Sequence, residues 1–152
     1  MRQFEEFYRE EYPAVFRATF AFCADRELAQ DSTQEAFSRA LARWQRLRKN
    51  SWAGGWVMTT SFNLCRKQLR RRQARSASSS PAAETDISGR LDIVQALRRL
   101  PERQRQAVIL FYLADHPVSV VADLMGVSDG AVKSHLSRAR EALKGSLEVA
   151  DV

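Results

Sequence analysis

The side chains with chemistry to offer gather at two places far apart in the chain, and neither place is equipped to break bonds. Near the C-terminus, Lys133, Ser134, Ser137 and Arg138 recur at helical spacing and share one face. Short hydroxyls and cations in that pattern suit base edges and phosphates in a major groove. Earlier in the chain, "SWAGGWVMTTSFNLCRKQLRRR" (51–72) sets Trp52 and Trp56 beside a glycine pair and runs on through Asn63, Arg66, Lys67, Arg70, Arg71 and Arg72. Such a helix is too basic for a core and too aromatic for a plain solvated face. Catalytic groupings are missing: His116 and His135 are isolated, no Ser or Cys stands beside a base, and no glycine-rich phosphate loop occurs. The chain reads as a binder and not as an enzyme, with no cofactor called for.

Bulk properties agree. The 152 residues carry a formal net charge of +6, which favours a polyanionic partner. Cys23 and Cys65 have no second Cys or His at metal-ligand spacing, so they read as two buried thiols in a reducing compartment, with no metal site. There is no run of about 18 apolar residues, and the N-terminus "MRQFEEFYREEYP" lacks an apolar signal core. The expectation is a cytoplasmic protein that does not insert into a membrane.

The elements that must position these groups are all helical. Composition shifts at 74–89, where Ser, Ala and Pro replace the periodic apolar pattern; this predicts a flexible linker between a domain at 1–73 and another at 90–148. The expected fold is all-α, two small helical domains, the second a helix-turn-helix. In the first, an apolar face from Phe4 to Phe20 is interrupted by Pro13, which predicts a kink or a second segment. Asp25 is the expected cap of a helix to about Trp44, with Phe37, Ala40, Leu41 and Trp44 inward and Gln30, Asp31, Gln34 and Glu35 outward. Ser51 is an expected cap for the next helix. Gly54 and Gly55 either delay its start to about Trp56 or let something approach closely.

In the second domain, Leu91, Val94, Leu97 and Leu100 predict one helix and "ERQRQAVILFYLADH" another, packing through Val108, Leu110, Phe111 and Leu113. Then "VSVVADLMGVSDGAVKSHLSRAREAL" fits a helix-turn-helix. Ala122 is small where helices cross, Gly126 suits the turn, and Val121, Met125, Val127, Val132 and Leu136 form the inner face. Ser128 or Asp129 caps the second helix.

Carried by these residues, "LPERQRQAVILFYLADHPVSVVADLMGVSDGAVKSHLSRAREAL" resembles region 4 of bacterial RNA polymerase sigma factors. "AQDSTQEAFSRALARW" resembles region 2.2, and "WVMTTSFNLCRKQLRRR" resembles regions 2.3 and 2.4. With regions 2 and 4 alone joined by a short linker, the chain is similar to the extracytoplasmic function (ECF) group. The resemblance implies that Asp31, Gln34 and Glu35 dock on the clamp coiled coil of the polymerase beta-prime subunit. It implies that Trp56, Asn63 and Arg70 serve the minus-ten element, with the loop 48–51 (Arg48, Lys49, Asn50) capturing a flipped base; Arg66, Lys67 and Arg71 are read as minus-ten contacts beside them, on the strand backbone. Unstacked bases offer π faces to aromatic and guanidinium groups, which is the surface that the 51–72 run would supply. Trp52 itself, extra to the family pattern, reads as core or as a stacking platform.

The resemblance further implies that Ser128, Asp129, Gly130, Ala131, Lys133, Ser134, Ser137 and Arg138 read the minus-thirty-five element, with Arg103 and Arg105 on phosphates. Implied partners are core RNA polymerase, through the beta-prime clamp and the beta flap, and promoter DNA; an anti-sigma protein is also admitted. Lys67 replaces the family's usual Asp, Thr60 and Ser61 its Ile and Ala, and Val120 its Glu. These departures bear on promoter preference. Two other readings stay open: a stand-alone helix-turn-helix regulator, separable by pull-down of core polymerase, and a sigma-like interaction protein without promoter activity.

Overall fold

The computed structural model describes residues 2–75 and 89–150, with side chains over 2–75 and 93–145. Every element among the described residues is helical: α1 Phe4–Cys23, α2 Arg26–Ala42, α3 Trp44–Leu47, α4 Ala53–Arg75, α5 Gly89–Arg99, α6 Glu102–Val108, α7 Val118–Met125 and α8 Asp129–Ala150. A π-helical turn, Ile109–Leu113, extends α6. Of the expected linker, residues 76–88 lie outside the described residues, while Ala74 and Arg75 belong to α4 and Gly89 to α5.

In the N-terminal domain α1, α2 and α4 pack around a core that aromatic residues dominate. Glu5 and Glu6 favour the start of α1, where the helix dipole is positive. The helix runs unbroken through Pro13, so no second segment starts there. It ends at Ala24, whose φ of 55° is left-handed and whose N–H donates to the Phe20 carbonyl at 2.7 Å. Asp25 then caps α2 as expected, its carboxylate accepting from the Leu28 N–H at 2.9 Å.

Phe7, Phe37 and Trp44 are buried together, with Phe7 and Trp44 ring centroids 4.8 Å apart. Leu41 is 56% exposed, contrary to expectation; α2 stops at Ala42, and the chain turns into α3 with Trp44 inward. Ser61 sits in the core with a reason: it is 2.9 Å from the Thr19 hydroxyl, which also meets the Val15 carbonyl at 2.7 Å. Phe62 stacks on Phe22 at 4.7 Å.

In the C-terminal domain Val94, Leu97 and Leu100 of α5 are buried, as are Val108, Ile109 and Leu110. Leu113 is 57% exposed and Phe111 only partly buried. The π turn explains this correction, since its wider loop rotates the following side chains off the face that ordinary helical spacing predicts. The helix-turn-helix forms as read: Val121, Ala122, Met125, Val132 and Leu136 are buried. Gly126 takes φ 68° between α7 and α8, and the Val127 N–H closes the turn on the Ala122 carbonyl at 3.0 Å. Ser128 is the cap, its Oγ accepting from the Ala131 N–H at 3.1 Å.

The two domains pack against each other, and one buried apolar cluster runs through both. α1 meets α5 and the π turn, and α4 meets α7.

Candidate nucleic-acid interface

Two exposed basic surfaces result. The first lies along α4. Its buried side, Val57, Met58, Ser61, Phe62 and Cys65, faces α1 and α2, so the intervening positions must turn outward. Asn63, Lys67, Arg70 and Arg71 are exposed, and Trp56 is half-buried at the boundary. Trp56, Thr60, Asn63, Leu64 and Lys67 share a concavity of about 300 Å³ with Arg39 of α2 and Arg43, the residue that ends it. The Arg43 guanidinium lies 5.9 Å from the Trp56 ring centroid, a cation–π arrangement. Sequence reasoning passed over both arginines; their i, i+4 spacing on one face of α2 was the available signal.

Helix α4 begins at Ala53, so the glycines do not delay it. They serve close approach instead. A Cβ on Gly54 would stand 2.6 Å from Glu11 Oε2, and one on Gly55 would stand 2.7 Å from Leu124 Cδ1 and 2.9 Å from His116 Nε2. The local start is organised by Asn50, whose side-chain carbonyl accepts from the Trp52 N–H at 2.9 Å, and not by Ser51. Of the 48–51 loop, Lys49 is exposed and Arg48 half-buried; Trp52 is half-buried as well.

Arg66 is placed differently from its neighbours. It forms an ion pair with Glu102, reaches Gln106 Oε1 at 3.3 Å, and donates to Asn63 Oδ1 at 2.8 Å. Burial, and then Arg103, Arg70 and Arg105, lower its pKa from the ordinary guanidinium value. At the end of α4, Arg72 donates to Asp25 Oδ2 at 2.6 Å.

The second surface lies on α8. Its inner positions Val132, Leu136 and Ala139 are buried, and Ser128, Asp129, Gly130, Lys133, Ser134, Ser137 and Arg138 are exposed, with Ala131 half-buried. His135 lies between the faces; partial burial and the nearby Arg103 and Arg138 lower its pKa, which keeps it neutral near pH 7. Arg103 is exposed and donates to the Met125 carbonyl at 3.1 Å, beside the turn. Arg105 does not join this surface. Its guanidinium donates to the carbonyls of Leu97, Phe22, Arg98 and Leu100 at 2.7–3.2 Å and lies 5.2 Å from the Phe22 ring centroid. In this arrangement the guanidinium is engaged with carbonyls at the ends of α5 and α1 and away from the α8 face.

On α2, Asp31, Gln34 and Glu35 are exposed in one stripe. Gln34 donates to the Tyr8 hydroxyl at 3.0 Å, and Glu35 pairs with Arg39 at 3.3 Å. Both cysteines are buried free thiols; the hydrogen bond between them and burial push the Cys23 thiol up. No group of three metal-ligating side chains occurs among the described residues, and no helix among them is long and apolar enough to cross a membrane.

Two family profiles match this chain: sigma-70 region 2 over residues 7–75, and sigma-70, region 4 over residues 90–143. The ECF RNA polymerase sigma factor SigM of Mycobacterium tuberculosis is 27% identical over 146 residues, covering 92% of this chain and 74% of the relative. The RNA polymerase sigma-E factor of Streptomyces coelicolor is 26% identical over 157 residues, covering 99% and 89%. Among solved structures, the sigma factor RpoE in complex with the anti-sigma factor NepR from Bartonella quintana superposes with a TM-score of 0.81 at 25% identity, covering 96% of this chain and 97% of that one. CnrH, in complex with the cytosolic domain of CnrY, shares the fold with a TM-score of 0.68 at 19% identity. With regions 2 and 4 in order on an all-helical chain, and relatives that are themselves ECF sigma factors, the chain belongs to the ECF group of sigma-70 RNA polymerase sigma factors.

Proposed function

We propose that this chain binds core RNA polymerase, places it on promoters by reading minus-thirty-five and minus-ten elements, and stabilises the opened strand, without catalysing a reaction itself. The observation that carries this reading is the division of basic surface between the domains. The α8 face with Lys133, Ser134, Ser137 and Arg138 is shaped for duplex DNA, while α4 combines Trp56 and Asn63 with Lys67, Arg70 and Arg71. A major groove takes the first. Single strands with exposed bases take the second, since stacking on an aromatic contributes about 1–3 kcal/mol per base.

The Asp31, Gln34 and Glu35 stripe is the docking site for a basic helical element of core polymerase, the beta-prime clamp, with the beta flap as a second contact. A stand-alone helix-turn-helix regulator would use α8 alone and leave the α4 surface without a task. The chain acts in the cytoplasm, where polymerase and promoter are, and an anti-sigma protein of the kind that binds RpoE of Bartonella quintana is its natural regulator. The test is reconstitution with core polymerase on a pool of genomic promoters, reading transcript starts. Promoter-specific initiation supports the assignment; its absence on every promoter rules it out.

A further inference from the structure

The concavity beside α4 donates far more than it accepts, and that imbalance selects among bases. Asn63 sets the pattern. Arg66 donates to its Oδ1 at 2.8 Å, and a guanidinium has only donors to give, so the amide is oriented: its carbonyl faces Arg66 and its NH2 is left for another partner. Thr60 gives its one hydroxyl proton to the Trp56 carbonyl at 2.8 Å and keeps only lone pairs.

The other polar side chains of the lining bring more donors. Lys67 and Arg43 are exposed cations, and Arg39, paired with Glu35 at 3.3 Å, adds a third. Among the described residues no carboxylate lines the concavity. An amide NH2, an ammonium and guanidinium N–H groups thus stand against one uncommitted side-chain acceptor, the Thr60 oxygen. The half-buried Trp56 ring forms the adjoining wall, with the Arg43 guanidinium 5.9 Å from its centroid. An aromatic wall takes the face of a base. A donor-rich lining takes an edge rich in acceptors. Guanine carries O6 and N7 there and thymine O4, whereas adenine and cytosine carry the amino groups N6 and N4, which would meet donors and cations with no partner.

We infer, resting on the sigma-factor reading, that the concavity seats one unstacked keto base, guanine or thymine, of the opened strand. Trp56 stacks on its face, Asn63 and Lys67 donate to its carbonyl edge, and Thr60 accepts from its ring N–H. Lys67 is then a residue of base selection as well as a backbone contact. Arg43 is a positioning residue, acting through the Trp56 ring that it holds for stacking.

The seat is tested on the full chain by fluorescence anisotropy with five-nucleotide single strands, abasic except at the central position, which is guanine, thymine, adenine or cytosine. A fully abasic strand is the reference. The guanine and thymine strands should bind about tenfold tighter than the adenine and cytosine strands, the discrimination of one well-matched pairing. Higher salt should weaken all five together and leave that ratio unchanged, since they carry the same phosphates. Lys67→Met, at an exposed position, should bring the four bases to within about threefold of one another. Lys67→Glu, which puts an acceptor where a donor stood, should favour adenine and cytosine. Equal binding of all five strands, or a Lys67→Met loss shared equally by all, would mean that the concavity holds a phosphate and would overturn the inference, as would binding of none of them. Assembly with core polymerase separates the two readings: a wild-type chain that gives no promoter-specific initiation removes the sigma-factor reading whatever the base preference, whereas initiation together with uniform base binding removes the keto-base seat alone.

Discussion

Arg72 and Asp25 join the end of α4 to the start of α2, the guanidinium donating to Oδ2 at 2.6 Å while Oδ1 caps the helix at Leu28. One carboxylate thus fixes the angle between the helix assigned to the minus-ten strand and the helix assigned to polymerase docking. Burial works to raise the Asp25 pKa, but the Leu28 N–H and Arg72 outweigh it, and the carboxyl ends below its ordinary value. A group lowered on folding contributes stability that is fully present above its unfolded pKa, about 3.9, and is lost as pH falls through the folded value. Asp25→Ala is expected to cost about 1 kcal/mol in urea denaturation at neutral pH, through the lost cap. Asp25→Asn should retain most of that and flatten the acid limb of the stability curve. An acid limb identical in wild type and Asp25→Asn would show that the pair contributes nothing.

Lys133 and Arg138 are exposed on the face of α8 opposite Val132 and Leu136, so their removal leaves the core intact. Lys133→Ala and Arg138→Ala should each weaken duplex binding and lower the slope of log affinity against log salt by about 0.9 if each holds one phosphate. Melting temperature and polymerase affinity should stay at wild-type values. Equal loss of duplex and polymerase binding would make the helix a structural element and not a reader.

The Asp31 and Gln34 side chains project from α2 on the side away from Phe37 and Ala40, with Gln34 steadied by the Tyr8 hydroxyl. Replacing both by Ala should weaken binding to core polymerase about 5- to 30-fold, the factor that 1–2 kcal/mol of lost contact gives. Binding of the free chain to duplex DNA should not change. Surface plasmon resonance against core polymerase reads the first and fluorescence anisotropy the second; unaltered polymerase affinity would remove the docking assignment.

Local signals were legible from sequence and relational ones were not. The Asp25 and Ser128 caps and the Gly126 turn depend on neighbours within a few residues, and each forms as the sequence predicts. The helix-turn-helix core was readable for the same reason. Gly54 and Gly55 resisted explanation because what they accommodate, Glu11, His116 and Leu124, comes from other helices and loops. Leu113 was assigned inward by a uniform helical period, which the π turn interrupts; Leu41 keeps that period and is nonetheless exposed in the last turn of α2. Arg39 and Arg43 were missed because α2 was read as a docking helix, and only its packing beside α4 reveals a second edge facing Trp56.

Arg105 shows where residue type misleads. A cation beside a helix-turn-helix invites assignment to a phosphate, yet this one meets four carbonyls and the Phe22 ring, and burial followed by Arg98 lowers its pKa from the usual guanidinium value. Carbonyls at the end of a helix lack partners within it, and a planar guanidinium can satisfy several together. Arg105→Ala should therefore lower unfolding stability by about 1.5–3 kcal/mol, the range for hydrogen bonds to a charged group. Arg105→Lys should recover only part of that loss, because an ammonium cannot span the same set of acceptors. Neither change should alter the salt slope of duplex binding at temperatures where the protein is folded. A slope reduced by about 0.9 with stability intact would return Arg105 to the DNA-binding surface.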